Sequence, residues 1–367
     1  MGKVIRTIGW ILAFLLGTAA VLFLTLYLLM GEFCNGPSRS ARKTFVATML
    51  ETGGMKFVPG WYLSDAEIEE CLQTDRGTAV VPEAAPAADT DVSMVSVSAD
   101  TDPDTPSEDT PLIPFDENGI ALLTIKGRTF DGALLAVKDP SRLSLSTSYP
   151  WSSMEQDKNG LTVGDHCKAN DAIAGANAGE FVNSGSNWGG RPVGVVVKDG
   201  EILFNEPSHG DVMVGFNADH IMVIAEVGSM GAAGFSSYVK ENNIVDAVSF
   251  KDLNSSNTNL FTKLIINGSP VDLNGKGVGA NPRTAIGQCA DGTVLILVTD
   301  GRGASGHLGA TGQDLIDVML QYGAVNAANL DGGSSSALYY DGAYAHTSTY
   351  LTYSDSSRRL PTAFIVK

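Results

Sequence analysis

The sequence predicts an α+β protein whose sheet is mixed but largely antiparallel, with one βαβ crossover that carries the candidate site. Residues 117–367 alternate short apolar segments with turns and show few helical patterns, and the chain has 41 glycines, which suits many tight turns. Between residues 294 and 330 an apolar run, a helical pattern and a second apolar run follow one another. A transmembrane helix, a short helical unit and a disordered linker are expected to precede this domain.

The first region, residues 1–33, predicts a short cytoplasmic tip followed by a transmembrane anchor. Residues 7–31 contain no charged side chain and are long enough to cross a bilayer, and Lys3 and Arg6 precede them. No Ala-x-Ala cleavage pattern follows, so an uncleaved anchor is favoured over a signal peptide. Because basic residues also follow the apolar run, the flanking charges give no clean orientation.

Two further regions lead from the anchor to the domain. Residues 34–76 predict a membrane-proximal helical unit, since residues 38–52 have helical apolar spacing and Ser64 begins a capping box with Glu67. Residues 77–116 are rich in Pro, Ala, Ser, Thr, Asp and Glu and contain no Lys or Arg. This composition predicts a disordered spacer, with a binding motif as the less favoured alternative. About 40 such residues reach roughly 35 Å, so we expect the domain to move freely above the membrane.

Within residues 117–367 the signals for strands and helices follow in order. Residues 119–125 and 129–137 predict the first strands, and residues 193–204 predict a hairpin that turns at Lys198-Asp199-Gly200. Residues 237–243 predict a helix. Residues 361–366 predict the closing strand.

The candidate site follows from where two strands end. Residues 294–298 form an apolar run typical of a strand buried on both faces, and Asp300 follows it. Thr311 can cap a helix, after which a second strand, residues 324–330, ends at Asp331. If the strands are parallel neighbours joined by a right-handed crossover, both aspartates lie at one sheet edge, where open α/β sheets bind ligands. For each aspartate taken alone, a simple turn is the alternative.

Small and hydroxylated residues follow Asp331. Glycines let backbone N–H groups approach a ligand closely, and serines add hydroxyl donors, so an oxygen-rich substrate would suit this rim. These residues are Gly332, Gly333, Ser334 and Ser335.

Two arginines are candidates for binding an anion at the same rim. Arg283 begins the strand predicted to pair with residues 294–298 through the turn at residues 290–292, and Arg302 lies beside Asp300. A guanidinium presents forked donors that match a phosphate or a carboxylate. For Arg283, phosphate contact and a salt bridge to Asp300 or Asp331 are equally plausible.

Several of these segments together resemble the phosphodiester glycosidase family, some of whose bacterial members are described as exopolysaccharide-associated. The resemblance runs from about residue 118 to the end of the chain, through residues 281–287, 300–302, 309–311, 329–335 and 359–366. One segment departs from the family pattern Asn-Gly-Gly-Phe-Phe. Asn177 and Gly179 match this pattern, whereas Glu180 replaces an aromatic residue.

The resemblance implies a hydrolase that cleaves sugar-1-phosphodiester linkages in surface polysaccharide or glycolipid. Such a reaction needs a carboxylate near the sugar and a cation near the phosphate, which is itself a good leaving group. The candidate catalytic residues are Asp300, Asp331 and Arg283. The candidate substrate-binding residues are Asn177, Gly179, Arg302, Asn329, Gly332, Gly333, Ser334 and Ser335. Glu180 is a third carboxylate, for which a surface turn is favoured over a place in the site.

This function and the acidic linker favour a single-pass protein of the cell membrane with an extracellular C-terminal domain. The membrane would be contacted through the N-terminal helix, and a carbohydrate or glycosyl phosphate would be the substrate. A net charge of −17 argues against nucleic acid as a partner. Two alternatives stay open: a glycan-binding module without catalysis, and a protein of envelope-polysaccharide assembly.

Other chemistries fit the sequence less well. The histidines lack the paired spacing of a zinc site, no dinucleotide or Walker loop occurs, and we expect no metal or cofactor. A serine hydrolase that uses Ser334 and His307 is a minor alternative, because the Gly-x-Ser-x-Gly elbow is absent. Cys167 and Cys289 are equally compatible with a disulfide and with two buried thiols.

Overall fold

The part of the chain that this computed structural model describes comprises residues 2–52, 55–72, 90–97, 111–148, 159–182, 189–255, 258–303, 306–348 and 357–367. Its α-helices are α1 (Gly2–Asn35), α2 (Arg39–Glu51), α3 (Asp65–Leu72), α4 (Val163–Ala169), α5 (Gly231–Glu241) and α6 (Gly312–Gln321). Its strands are β1 (Ile120–Lys126), β2 (Asp131–Val137), β3 (Leu143–Thr147), β4 (Ala174–Asn177), β5 (Gly194–Lys198), β6 (Glu201–Glu206), β7 (Asp211–Asn217), β8 (Met222–Glu226), β9 (Ile244–Lys251), β10 (Leu253–Ser255), β11 (Thr258–Leu260), β12 (Lys263–Ile266), β13 (Ser269–Pro270), β14 (Thr284–Cys289), β15 (Val294–Thr299), β16 (Ala324–Asn329), β17 (Ala337–Tyr340), β18 (Ala343–Thr347) and β19 (Thr362–Val366).

The strands form three large antiparallel sheets and one small one. The seven-stranded sheet has the order β1-β2-β15-β14-β16-β12-β13, and the five-stranded sheets have the orders β18-β17-β4-β19-β3 and β6-β5-β9-β7-β8. Strands β10 and β11 pair by themselves. The prediction of an α+β fold with largely antiparallel pairing is confirmed.

The three large sheets surround one shared apolar core. Alternate residues of each sheet point into it, for example Ile296 from β15, Val214 from β7 and Phe364 from β19. The opposite face of each sheet is covered by one helix: α6 packs on the seven-stranded sheet, α5 on the sheet of β7, and α4 on the sheet of β19. Period-two alternation in the strands therefore supplies both an inner and an outer core.

The crossover that was predicted from the sequence differs in one respect. Strands β15 and β16 run in the same direction, but they are not neighbours, because β14 lies between them and is antiparallel to both. The predicted hairpin of β14 and β15 is confirmed, and its free edge accepts β16. Helix α6 begins at a capping box of Thr311 with Asp314, as predicted from the cap residue. Since β15 and β16 are parallel, their ends still meet at one edge of the sheet.

Helix α1 is long and apolar enough to cross a membrane by length and composition. Its last turn packs with α2 and α3 in a small core that includes the fully buried Cys34, Leu50 and Ile68. We call residues 34–72, as far as they are described, the membrane-proximal unit. This unit contacts the C-terminal domain, since the Ala280 N–H donates to Thr48 Oγ1 at 3.1 Å.

A part of the predicted spacer is ordered and packs against the domain. Residues 90–97 include a short 3₁₀ turn over Val92–Met94, and Asp91 accepts a hydrogen bond from the Ser93 N–H at its start. Thr90 Oγ1 accepts from the Ile224 N–H on β8, and the Ser96 N–H donates to the Ala290 carbonyl. The composition alone did not predict these contacts, because a short segment can be held by backbone hydrogen bonds without a long apolar run.

Cys167 and Cys289 are separate buried thiols. Cys167 lies on the buried face of α4, whereas Cys289 lies at the end of β14 in the layer below α6, and neither forms a disulfide. Burial raises the pKa of both thiols to about 12. The sequence left a disulfide and two buried thiols open, and the structure contains the two buried thiols.

A glycine substitution tests the backbone that supports the site. Gly309 has φ +121°, and a Cβ there would lie 2.4 Å from the carbonyl carbon of Asn281. We expect Gly309→Ala to lower the free energy of unfolding by about 3 kcal/mol or more. Gly342→Ala is the control, since Gly342 has φ +85° and no atom lies within 4 Å of a Cβ there. This substitution should lower the free energy of unfolding by about 1 kcal/mol. Urea unfolding of the detergent-solubilised chain measures both; equal losses would contradict the steric argument.

Candidate active site

The candidate site lies where β15 and β16 end, and Asn177 at the end of β4 holds it together. The Asn177 side chain accepts from Thr284 Oγ1 at 2.8 Å and from the Ala337 N–H at 3.1 Å, and it donates to the Asp331 carbonyl. It is 1% exposed. The Asn177 amide braces β4, β14 and the backbone of Asp331, because each of its polar atoms has a protein partner.

Asp331 has the carboxylate that is best prepared for chemistry. Its Oδ2 atom is inaccessible to solvent and has no hydrogen-bond partner within the described residues. Burial raises the pKa of Asp331 to about 6, and a hydrogen bond from Ser335 and the charges of Arg358 and Arg302 oppose this rise. A carboxylate with an unpaired buried oxygen is costly to keep, which is typical of functional sites.

Two guanidinium groups act on Asp331. The Arg302 Nε–H donates to Asn281 Oδ1 at 3.2 Å, and its outer nitrogens lie over Gly333, where a Cβ would come within 2.9 Å of Nη2. Arg302 itself has φ +53°, a conformation that costs a residue with a Cβ about 1 kcal/mol or more. Arg358 donates from Nη1 to Ser334 Oγ at 3.3 Å and lies 5.1 Å from the Phe181 ring centroid.

The glycines and serines after β16 hold these groups in place. Gly333, with φ +63°, makes room for Arg302, and the 3₁₀ turn over Gly333–Ser335 directs Ser334 to Arg358 and Ser335 to Asp331. A Cβ on Gly332 would lie 3.0 Å from the Pro282 carbonyl oxygen. Ser334 and Ser335 therefore bind protein groups of the site, and Gly333 approaches an arginine where the sequence suggested a ligand.

Asp300 has both of its oxygens engaged. Oδ1 accepts from the Asp131 N–H at 2.9 Å, and Oδ2 lies 2.8 Å from His307 Nδ1. The residue is 4% exposed. The hydrogen bond that the Asp300 carboxylate accepts from the protonated imidazole raises the pKa of His307. Within the described contacts, His307 pairs with Asp300 and Ser334 with Arg358, so they do not form the serine-hydrolase pair that the sequence left as a minor alternative.

Arg283 is buried in an internal ion pair. Its Nη2 group binds the Glu51 carboxylate and the Gly279 carbonyl, and its guanidinium carbon lies 4.9 Å from the Phe261 ring centroid. Of the two roles that the sequence left open, the structure therefore favours a salt bridge, but its partner comes from α2 and is neither Asp300 nor Asp331. The Glu51 side chain is 2% exposed, and burial raises its pKa while Arg283 opposes the rise.

Asn329 and Gly179 also have structural contacts. Asn329 Nδ2 donates to the Phe261 carbonyl at 2.8 Å, on the same side of the sheet as Arg283. The Gly179 N–H donates to Thr362 Oγ1, and a Cβ on Gly179 would lie 2.8 Å from the Val248 Cβ. Packing against β9 therefore explains why this position is a glycine.

Glu180 belongs to the candidate site, and the prediction of a surface turn is wrong. Backbone hydrogen bonds hold Glu180 between Ser249 and Val193. Its Oε2 atom is inaccessible to solvent and has no hydrogen-bond partner within the described residues. Burial raises the pKa of Glu180 to about 7; Asp331 adds to the rise, while Lys251 and Lys56 oppose it. Two carboxylates with raised pKa values therefore influence each other here.

The structure thus groups Asp331, Arg302, Ser334 and Ser335 and adds Arg358 and Glu180. It places Arg283 beside Glu51 and Asn329 against the Phe261 backbone. Asn281 links the two groups, since its Nδ2 atom donates to Glu51 at 3.1 Å while its oxygen binds Arg302. The sequence analysis missed Arg358, and the signal that could have found it is the Arg358-Arg359 pair shortly before β19. Among the described residues, no group of three or more His, Cys, Asp and Glu side chains could hold a metal ion.

Comparison with known proteins identifies the family to which this domain belongs. The sequence model of the phosphodiester glycosidase family matches residues 170–367, and the chain belongs to this family. It is 30% identical over 204 residues to the SPbeta prophage-derived uncharacterized protein YomE of Bacillus subtilis. The match covers 53% of this chain and 28% of that relative, so the chain spans less than a third of the relative's length.

A solved structure supports the fold. The catalytic domain of zebrafish N-acetylglucosamine-1-phosphodiester alpha-N-acetylglucosaminidase, described as auto-inhibited by its pro-peptide, is similar with a TM-score of 0.52 and 17% identity. The match covers 71% of this chain and 85% of that chain. Members of this family are hydrolases, and the family relationship supports a glycosidase type of function.

The buried pair of Glu51 and Arg283 can be tested by a double-mutant cycle. Glu51→Leu and Arg283→Met should each lower the free energy of unfolding by about 3 to 5 kcal/mol, because each leaves one buried charge without its partner. The double variant should lose clearly less than the sum, since two apolar side chains fit beside Phe261. Asp199→Asn is the control, because the Lys198–Asp199 pair is exposed and worth about 1 kcal/mol or less. Additive losses would show that the two charges do not interact.

The raised pKa values of the site carboxylates predict a pH-dependent stability. The folded pKa of about 6 for Asp331 and about 7 for Glu180 exceed the ordinary values of 3.8 and 4.5, so the folded state holds more protons than the unfolded state. The contribution of these two carboxyl groups to the free energy of unfolding is present at low pH and is lost as pH rises from about 4 to about 7. Asp331→Asn with Glu180→Gln should therefore stabilise the chain at pH 8 by on the order of 2 kcal/mol and not at pH 4.

Thermal unfolding at both pH values measures this difference. Asp219→Asn with Glu241→Gln, two exposed positions, is the matched control. A gain at pH 8 that is no larger than the control's would contradict the assignment of these two carboxylates as buried and strained.

Proposed function

We propose that this protein hydrolyses sugar-1-phosphodiester linkages in surface polysaccharide or glycolipid. One observation carries the proposal: the Asp331 carboxylate keeps an unpaired oxygen within reach of the charges of Arg302 and Arg358. A sugar phosphodiester offers an anion for the two guanidinium groups and an electrophilic anomeric carbon for the carboxylate. The family domain that contains these residues supports the same reaction class.

The proposed reaction breaks the bond between the anomeric carbon and the phosphate oxygen. Arg302 and Arg358 bind the phosphate and stabilise the charge that develops as the phosphate monoester leaves with the electron pair. Asp331 faces the anomeric carbon, either as the nucleophile or as the base that takes a proton from the attacking water. Glu180 is the second carboxylate and holds a proton near neutral pH, which suits a general acid or base.

The other predicted catalytic residues act indirectly in this proposal. Asp300 orients His307 through the 2.8 Å contact to Nδ1, and Arg283 shares Glu51 with Asn281, which in turn positions Arg302. Because Glu51 offsets the charge of Arg283, Arg302 and Arg358 are the cations that we assign to the phosphate. The guanidinium group of Arg302 keeps its orientation only while its own hydrogen-bond partner, Asn281, stays in place.

We further propose that α1 is retained as a single-pass anchor, with the C-terminal domain outside the cell. The contacts of its last turns support this proposal. Cys34 is 0% exposed in the core of the membrane-proximal unit, and the Tyr62 hydroxyl donates to the Tyr27 carbonyl at 2.7 Å. Removal of α1 as a signal peptide would expose the apolar surface of α2 and α3 that it covers.

Release of free reducing sugar from synthetic glycosyl phosphodiesters tests the proposed function. Asp331→Asn should lower kcat/KM on the order of a thousandfold, because it removes the carboxylate that acts on the anomeric carbon, and Arg358→Gln on the order of a hundredfold. Asp219→Asn and Arg128→Gln, both at exposed positions, should leave the rate unchanged. With Asp331 as a base, kcat/KM should rise with an apparent pKa near 6, and Glu180→Gln should remove any fall above about pH 7.

Two results would overturn this assignment. Full activity in Asp331→Asn would exclude Asp331 from the chemistry. Binding of glycosyl phosphodiesters without turnover, under every pH condition, would favour the alternative of a glycan-binding or polysaccharide-assembly protein.

A further inference from the structure

An exposed aromatic pair lies on the loop between α2 and α3. Phe57 is 54% exposed and Trp61 is 47% exposed, and their ring centroids are 5.0 Å apart. Large aromatic rings beside each other at a surface remove little apolar area from water. The pair therefore leaves apolar ring surface available for contact with another molecule.

The pair continues directly onto α1. The Trp61 ring centroid lies 6.3 Å from that of Phe23 and 6.2 Å from that of Tyr27. On the same side, Tyr62 packs on Tyr27 with a centroid distance of 4.9 Å. These five rings lie beside one level of α1, and we call them the aromatic collar. They belong to Phe23, Tyr27, Phe57, Trp61 and Tyr62. Tryptophan and tyrosine are enriched at the level where a membrane-spanning segment leaves the hydrocarbon.

The position of the aromatic collar along α1 fits a bilayer. Between Thr7 and Tyr27 the helix has about 20 residues without charge, which make about 30 Å of helix and match the hydrocarbon thickness. The turns after Tyr27 lie above this level and pack in the membrane-proximal unit through Cys34. Lys56 and Arg39 are exposed on this unit and can meet anionic headgroups.

The membrane-proximal unit is joined to the site by buried contacts. Glu51 binds Arg283 and Asn281, and Thr48 accepts from the Ala280 N–H. Lys56, which precedes Phe57, is one of the charges that act on Glu180. The helix that precedes the loop with the exposed pair is therefore joined through Asn281 to Arg302 of the candidate site.

We propose that Phe57 and Trp61 insert into the interface of the bilayer that α1 crosses, and that the site takes a glycosyl phosphodiester carried by a lipid of that bilayer. The first half of the proposal rests on the exposed pair and its place on α1. The second half rests on the proposed function, because it names the substrate class of the same site. A docked unit holds the site at one height above the lipid headgroups, which favours substrates confined to the membrane surface over free ones.

Fluorescence of the full chain in vesicles of phosphatidylcholine and phosphatidylglycerol tests the docking. With Trp10, Trp151 and Trp188 changed to Phe, Trp61 is the only tryptophan of the four in the sequence. Bromine near the headgroup end of the acyl chains should quench Trp61, and aqueous iodide should not. A control chain with Trp61→Phe and Leu112→Trp, at a position that is 84% exposed, should show the reverse. Equal quenching of both chains by iodide would overturn the docking.

Turnover of one glycosyl phosphate in two forms tests the substrate class. One form carries a diacylglycerol tail in the vesicle, and the other is a soluble methyl ester. Phe57→Ser with Trp61→Ser should lower turnover of the lipid form about tenfold, as loss of interfacial contact weakens positioning, and should leave the soluble form unchanged. Leu112→Ser, the matched control, should affect neither form.

The outcomes separate this inference from the proposed function. Equal loss with both forms, or no loss with either, would overturn the lipid-carried substrate while hydrolysis itself stands. Absence of turnover of both forms by the unmodified chain would overturn the proposed function and the substrate class together. The fluorescence result decides the docking in every case.

Discussion

The buried ion pair between Glu51 and Arg283 is the contact on which the arrangement of this protein depends. Neither side chain is more than 8% exposed, so each charge is stable only with the other and with the amide groups around it. Glu51 comes from α2 and Arg283 from the beginning of β14, so the pair joins the membrane-proximal unit to the seven-stranded sheet. Through Asn281 it also reaches Arg302. The helical unit that follows α1, the seven-stranded sheet and the candidate site therefore share one polar network.

Burial leaves two carboxylates of the candidate site without a full set of hydrogen-bond partners. Asp331 and Glu180 each keep one inaccessible oxygen without a partner, and desolvation raises the pKa of both. Arg302 is held at a positive φ above a glycine that leaves it room. Each of these features lowers the stability of the fold. Proteins tolerate such losses mainly where they bind or transform a ligand. The apolar core shared by three sheets supplies the stability that offsets them.

Much of the fold could be predicted because its signals are local. The β14–β15 hairpin, the capping box at Thr311 and the two aspartates that follow β15 and β16 all depend on neighbouring residues. The insertion of β14 between β15 and β16 could not be predicted in this way, since it is decided by which sheet edge accepts β16. Glu180 shows the same limit. Its sequence context suggests an exposed turn, but pairing with Ser249 and Val193 buries the side chain.

By itself, the sequence determined the long apolar helix, the order of strands and turns, and the family motifs around Asn177, Arg283, Asp300 and Asp331, because hydrophobic period, turn chemistry and motif spacing lie within short segments. Only the tertiary structure decided which charges meet. It pairs Arg283 with Glu51 and Asp300 with His307, and it brings the charges of Arg302 and Arg358 to act on Asp331. The reason is that desolvation and ion pairing depend on side chains brought together from distant parts of the chain, and no local pattern specifies these partners.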